Sequence, residues 1–421
     1  MKILWITNIL LPDVCKELKI STPVIGGWMH SLANKLIKKN NITLAIASIY
    51  SGKEICELKI NDITYYLIPN NRNKTIYNPL MEKYWIDIKN RYNPTIVHIH
   101  GTEYPFGLAY IKACGKENIV VSLQGLVSIY ERYYYGGIST KEILKNITFR
   151  DTIKCDNLFQ QKKKFHKRGL IENEYLLSGV EIIGRTNWDR DHTWAINNKA
   201  KYHFCNEILR DEFYKNSWLL SKCERYSIFL SQGGYPIKGI HQMINALPFI
   251  LKEFPQTKIY IAGDNITSKI NLREKLSING YGKYINKLIS KLNLNNKIIF
   301  TGQISEKQMV KHFLESNVFV CPSAIENSPN SLGEAQLLGV PCIASYVGGI
   351  PDMIENEKTG LLYRFEEVEM LAKQVCRIFS EKKLSEQLSS EGQKIAQLRH
   401  DPDSIVNDII SIYDKVKTNK K

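Results

Sequence analysis

Glu326-Asn-Ser-Pro-Asn-Ser-Leu-Gly-Glu334 sets two carboxylates seven residues apart, directly after the apolar run Asn317-Val-Phe-Val-Cys321. A packed core has no use for two unpaired carboxylates at this spacing. The apolar run has the length and β-branched character of a buried strand, so Glu326 falls in the loop beyond the strand's carboxyl end. Ser331 or Asn330 is placed to cap a helix that carries Glu334 in its first turn. A helix opening just past a parallel strand presents backbone amides and a positive dipole end, which suits a nucleotide diphosphate.

Working outward, the same strand-then-helix rhythm recurs through the chain, and it predicts an α/β fold with doubly wound sheets. Upstream, Lys2-Ile-Leu-Trp-Ile-Thr7, Ile42-Thr-Leu-Ala-Ile-Ala47, Ile96-Val-His-Ile-His100 and Ile119-Val-Val-Ser-Leu123 are near-continuous apolar runs, as parallel strands buried on both faces require. A helix is predicted from Trp28 to Lys38. Between Leu126 and Asp211 the periodicity weakens, and this part is assigned to the end of the first domain. A second series begins with Tyr226-Ser-Ile-Phe-Leu230, followed by a helix over 239–253 and strands at Lys258–Ala262 and Lys297–Phe300. Domain limits of 1–215 and 222–398 follow, with 399–421 as a closing helical segment.

Composition narrows the class. At 421 residues the chain has room for two domain cores. A hydrophobic share of 43% with 24% charged residues is ordinary for a globular protein. No run of about 18 uncharged apolar residues occurs, and Met1-Lys-Ile-Leu-Trp-Ile-Thr-Asn turns polar too soon for a signal peptide, so a cytoplasmic protein is expected. The nine cysteines are an odd number without a Cys-x-x-Cys pair, which argues against a disulfide framework or a zinc site. The formal charge of +15 asks for an anionic partner. No nucleic-acid-binding module is recognisable, so nucleic acid is not expected as a partner. The basic runs Lys162–Arg168 and Lys415–Lys421 predict peripheral contact with an anionic surface at the inner face of the cell membrane. A solvated lysine-rich face is the plainer alternative.

The segment from Phe300-Thr-Gly302 through Glu326-x7-Glu334 and Gly339-Val-Pro-Cys to Val347-Gly-Gly-Ile-Pro, with Lys238-Gly239 upstream, resembles the retaining glycosyltransferases of family 4 (glycosyl transferases group 1). The resemblance implies the GT-B fold: two Rossmann-like domains facing across a cleft, with a C-terminal helix crossing back to the first. It implies that Glu326 touches the hexose of a nucleoside-diphosphate sugar, that Glu334 holds the ribose, and that amides from Asn330 through Ser331 to Leu332 meet the phosphates. Gly263, and Gly302 with Gln303, would lie where base and ribose sit. The acceptor would be a growing surface glycan or a lipid-linked one, and no cofactor or metal is expected.

Other candidates stand beside these. Gly26 and Gly27 follow the first strand without a Gly-x-Gly-x-x-Gly pattern, and their lack of Cβ lets backbone approach a phosphate. Lys238 is placed to neutralise a departing diphosphate. The family's arginine five residues before that lysine is replaced here by Gly233, or by Gln232 if the loop is one residue longer, so either another base such as Arg185 or Arg225 substitutes or the donor is held differently. His98 and His100 are expected to point to opposite faces of their strand, with His100 the one that serves the site. Gln124 stands where the family commonly has histidine, and it donates hydrogen bonds but is no base near neutral pH. Tyr133 and Tyr134 offer ring faces to an acceptor sugar, against the commoner explanation of packing under a loop. Arg185 and Asp189 are placed on the acceptor side or at a hinge; Asp189-Arg-Asp191 is set aside as a metal motif because it belongs to the other large glycosyltransferase fold. The competing functions are a nucleotide-sugar epimerase of the same fold and a non-enzymatic basic protein binding glycan or nucleic acid.

Overall fold

A computed structural model describes the protein over residues 1–21, 26–70, 74–267 and 277–418. The lysines at 420 and 421, part of the predicted C-terminal basic run, lie outside the described residues. The chain divides into two compact units. One comprises 1–129, 166–210 and 400–421, the other 130–165 and 211–399.

The first unit is built on an eight-stranded sheet. Its strands are β1 (Lys2–Thr7), β2 (Thr43–Tyr50), β3 (Cys56–Ile60), β4 (Ile63–Pro69), β5 (Ile96–His100), β6 (Ile119–Ser122), β7 (Glu181–Gly184) and β8 (Tyr202–Phe204), in the order β3-β4-β2-β1-β5-β6-β7-β8. All pairings are parallel except β3 with β4. Five of the six residues of β1 are buried, as a strand covered on both faces demands. The β3–β4 hairpin, absent from the sequence-based strands, turns at Asn61-Asp62, whose φ values of 49° and 63° suit the tight turn that matches strand twist. Exposed Glu57 and Lys59 on β3 blunt the sheet edge.

The closing helix Pro402–Thr418 belongs to this unit. Its Tyr413 hydroxyl accepts from Trp5 Nε1 at 3.1 Å and lies 2.7 Å from His98 Nδ1, so the end of the chain is hydrogen-bonded to β1 and β5.

The second unit holds a six-stranded, all-parallel sheet in the order β11-β10-β9-β12-β13-β14. These strands are β9 (Glu224–Leu230), β10 (Lys258–Ile261), β11 (Ile298–Phe300), β12 (Ser316–Cys321), β13 (Cys342–Ser345) and β14 (Leu361–Tyr363). Counted from its own first strand this is 3-2-1-4-5-6, the Rossmann order, whose reversal point lies between β9 and β12.

The expected first domain ran unbroken to 215, whereas the compact units place 130–165 with the second sheet. Three contacts explain this. His241 Nε2 donates to the Gly136 carbonyl at 2.7 Å. Gly136 has φ 56°, and a Cβ there would come within 2.4 Å of the Pro236 carbonyl oxygen. Lys283 Nζ donates to the Ile147 carbonyl at 3.3 Å. Each links residues a hundred or more positions apart, so local periodicity carried no trace of them.

Candidate functional site

The second unit's reversal point gathers the predicted residues. Lys238 ends the short 3-10 turn Pro236–Lys238 after β9, and Glu326 lies in the loop after β12. The two loops are tied by a 2.7 Å hydrogen bond from Ala324 N to the Ile237 carbonyl. Gly239 has φ 68°, and a Cβ there would come within 1.7 Å of the Pro322 carbonyl oxygen. The Lys-Gly pair is therefore a steric requirement as well as a chemical one: only glycine lets the Lys238 loop seat on the Glu326 loop.

Lys238 Nζ donates to Glu326 Oε1 at 2.6 Å, and Ser323 Oγ donates to the same oxygen at 2.8 Å. Both side chains of the ion pair are nearly buried. Burial pulls the Lys238 ammonium toward neutrality, but the Glu326 charge outweighs it, so the net shift is upward and the lysine stays protonated. On the other flank, Gly349 N donates to the Glu326 carbonyl at 3.0 Å, and a Cβ at Gly348 would lie 1.9 Å from that carbonyl oxygen. The Gly-Gly turn thus clamps the backbone that presents the carboxylate.

Glu334 is buried in the helix Asn330–Leu338. This helix corrects the expected cap: Pro329 occupies the N-cap, no side chain caps the helix, and Asn330 and Ser331 form its first turn. Proline fixes the entering φ, so no capping hydroxyl is needed to start the helix. Leu332 N donates to the Pro329 carbonyl at 2.9 Å, closing a tight first turn.

Gly263 and Gly302 follow β10, the neighbour of β9, and β11, which pairs with β10 at the sheet edge. Gly263 N donates to the Gly302 carbonyl at 3.1 Å; their φ values are 99° and 74°, and a Cβ on either would meet open space. Gln303 Nε2 donates to Asp264 Oδ2 at 3.3 Å.

Tyr130 opens the aromatic run that includes Tyr133 and Tyr134, and the sequence did not place it beside Glu326. Burial and the nearby Glu326 charge push its hydroxyl well above the ordinary tyrosine range, and the Asn327 backbone contributes a hydrogen bond. It opens the segment 130–165, so only the tertiary path brings it beside Glu326. Tyr133 is 46% exposed, whereas Tyr134 is buried, with its hydroxyl donating to Gln161 Oε1 at 2.6 Å and its ring against Phe165. Tyr134 is thus a packing residue. Arg225 is exposed at the amino end of β9, the opposite end of that strand from Lys238, and does not replace the missing arginine.

The first unit holds the remaining candidates. Its own reversal point lies between β1 and β5, with Gly26 after β1 and His100 closing β5. Gly26 has φ 86° and caps the helix Gly27–Leu36 without a side chain. His98 and His100 do not point to opposite faces. Their ring centroids are 3.8 Å apart and the ring planes are tilted by 31°, because residues two apart in a strand share a face. Both ring nitrogens of His98 are hydrogen-bonded, to Tyr413 and to Ser122 Oγ at 2.6 Å. His100 is 4% exposed with neither ring nitrogen hydrogen-bonded, and burial pulls it down to about 3.

Glu103, which the sequence did not single out, stands three residues beyond His100, and burial pushes its carboxyl up to about 7. Gln124 Nε2 donates to Glu207 Oε1 at 2.9 Å, and Arg185 Nη1 pairs with Glu207 Oε2 at 2.6 Å while Nη2 donates to the Gln124 carbonyl at 2.9 Å. Arg185 is thereby committed to a buried network within its own unit. Asp189 completes a capping box with Thr186 and accepts from Arg185 N and the Tyr202 hydroxyl. Its placement is that of a helix-start residue.

Residues 211–395 match the family model described as glycosyl transferases group 1. A putative glycosyltransferase of Bacillus subtilis, YtcC, is 27% identical over 308 residues, covering 70% of this chain and 67% of that protein. The chain spans about half the length of the first curated relatives it matches. Among solved structures, sucrose-phosphate synthase from Thermosynechococcus elongatus superposes with a TM-score of 0.72 at 15% identity, covering 99% of both chains. Anabaena HepE in complex with UDP-glucose does so with a TM-score of 0.66 at 14% identity, covering 99% of this chain and 100% of its own. Residues 211–395 are thus similar to the glycosyl transferases group 1, and the chain as a whole has the GT-B fold of two Rossmann-like domains.

Proposed function

We propose that the chain is a retaining, metal-independent hexosyltransferase that moves a sugar from a UDP-sugar to a hydroxyl of a growing surface glycan of lipopolysaccharide, capsule or exopolysaccharide type. The observation that carries this proposal is the Lys238–Glu326 pair, 2.6 Å apart at the reversal point of a Rossmann sheet and followed by an uncapped helix. Ligands of such sheets bind outside the carboxyl ends of the strands at that point. Glu326 accepts from hexose hydroxyls and Glu334 from ribose hydroxyls, while the first-turn amides of Asn330–Leu338 face the diphosphate. HepE was solved with UDP-glucose, which supports a uridine donor here.

In the transfer, the bond from the anomeric carbon to the phosphate oxygen breaks, and the acceptor oxygen bonds that carbon on the same face. The acceptor proton passes to the departing phosphate oxygen. The Lys238 ammonium, held protonated by Glu326, stabilises the charge that develops on the diphosphate. Glu326 already shares its carboxylate with Lys238 and Ser323, which suits a hydrogen-bonding clamp better than a free nucleophile.

The test is a thermal-shift and acceptor-free hydrolysis screen across UDP-, GDP- and ADP-hexoses. Stabilisation by a UDP-hexose with slow release of UDP is expected. Interconversion of the hexoses without release of UDP would establish the epimerase instead, and stabilisation only by another nucleotide would overturn the uridine assignment.

A further inference from the structure

The segment 140–154 of the second unit exposes an apolar surface for which the transfer chemistry has no use. Phe149 is 70% exposed, Ile153 67% and Leu144 57%. Phe149 and Ile153 stand four residues apart in the helix Phe149–Lys154, so they share one face, and Leu144 belongs to the preceding helix Thr140–Asn146. Three large hydrophobes left in water within ten residues is a pattern that marks an interaction site.

The residues around them are fixed in place. Thr148 and Asp151 form a full capping box that starts the second of these helices, and the Asp151 side chain is fully buried. Lys283 Nζ holds the Ile147 carbonyl between the two helices. The apolar face therefore projects from a supported base.

Its border is basic. Lys141, Lys145 and Lys154 are exposed and Arg150 is partly so. Lys145 pairs with Glu142 at 3.5 Å and Arg150 with Asp151 at 3.1 Å, but among the described residues neither Lys141 nor Lys154 has an ion-pair partner. Hydrophobes ringed by cations fit a surface that is apolar within and negative at its rim, which describes the headgroup boundary of an anionic bilayer. A second copy of this chain, itself strongly basic at +15, would bring like charge against the same rim.

We propose that Leu144, Phe149 and Ile153 insert into an anionic membrane surface, with Lys141 and Lys154 on the lipid headgroups. A lipid-linked form of the glycan acceptor would be met there, and the inference rests on the proposed function only for that purpose. Binding is therefore measured without donor or acceptor, so a failure here is distinct from a failure of the transferase assignment.

The experiment is co-sedimentation of the full chain with vesicles of phosphatidylcholine containing 30 mol%, on the order used to mimic anionic leaflets, of phosphatidylglycerol, compared with phosphatidylcholine alone. Binding to the anionic vesicles is expected to fall at least about tenfold in Phe149→Ser/Ile153→Ser, from the lost apolar insertion. It should fall about fivefold for each of Lys141→Gln and Lys154→Gln. Cys155, the one exposed cysteine of the nine, sits at the end of the helix and takes an environment-sensitive fluorophore whose emission should shift to the blue on the anionic vesicles. Unchanged binding in the double serine variant, or self-association of the wild-type chain that the same variant abolishes, would overturn the proposal.

Discussion

At the scale of single residues, the site is defined as much by what glycine permits as by what the charged groups do. Lys238 and Glu326 are each nearly buried, so each depends on the other. Lys238→Met should destabilise the protein by about 3 to 5 kcal/mol, because it leaves a buried carboxylate without its counter-charge, as urea denaturation would show. The double variant Lys238→Met/Glu326→Gln should recover part of that loss. Glu326→Gln alone should lower kcat/KM for the donor about 10- to 100-fold, the worth of a hydrogen bond to a charged group, with steady-state kinetics as the measure.

Gly348→Ala tests the scaffold. Its Cβ would sit 1.9 Å from the Glu326 carbonyl oxygen on a backbone with φ 53°. A loss of more than about 2 kcal/mol is expected, together with weaker donor binding, since the displaced carbonyl belongs to Glu326 itself. A calorimetric trace that matches the wild type would show that the Gly-Gly turn is not a clamp. Lys238, Glu326 and the glycines were legible in the sequence because their types and spacing reflect these local demands. The placement of Tyr130 and Glu103 was not, since nothing about a tyrosine or a glutamate announces the surroundings that shift it.

At the scale of elements, the strongly apolar strands β1, β5, β9, β10 and β12 were recognisable because parallel strands buried on both faces need continuous apolar runs. The strands that escaped detection were β3 and β4, whose hairpin alternates at an exposed edge, and the short β7, β8, β13 and β14. The histidine error is of another kind: His98 and His100 share a face by strand geometry, and only their different fates, which depend on which of them reaches Tyr413, needed the tertiary structure. Tyr413→Phe should cost about 1 to 3 kcal/mol, because it strips a buried partner from both Trp5 and His98. Thermal unfolding of that variant checks it. Thr148→Ala, which removes a helix cap, should cost about 1 kcal/mol.

At the scale of the whole molecule, three buried histidines, His98 and His100 in the first unit and His241 in the second, couple stability to pH, and burial holds His98 well below its ordinary range. His241 is held down to about 4 by burial, in spite of its bond to the Gly136 carbonyl, and His100 to about 3 by burial. Their folded-state values lie below the unfolded value near 6.5, so the unfolded chain takes protons first as pH falls. Stability should therefore be full above about pH 6.5 and decline toward pH 4, with a slope of about 1.4 kcal/mol per pH unit for each histidine. Denaturant unfolding at pH 7, 6 and 5 measures this. His100→Leu should flatten the curve below pH 6 without removing any hydrogen bond, since neither ring nitrogen makes one. An unaltered slope in that variant would mean that His100 is protonated in the folded state.

The sequence by itself determined the fold class, the two Rossmann-like sheets and the loop-and-helix that carries Glu326 and Glu334, because local apolar periodicity and short-range spacing encode all three. Only the tertiary structure decided that 130–165 packs with the second sheet and that the closing helix bonds to β1 and β5 through Tyr413. It also committed Arg185 and Asp189 to buried networks in their own unit. Those outcomes rest on contacts between residues far apart in the chain, where burial and hydrogen-bond satisfaction choose the partner and no local pattern records the choice.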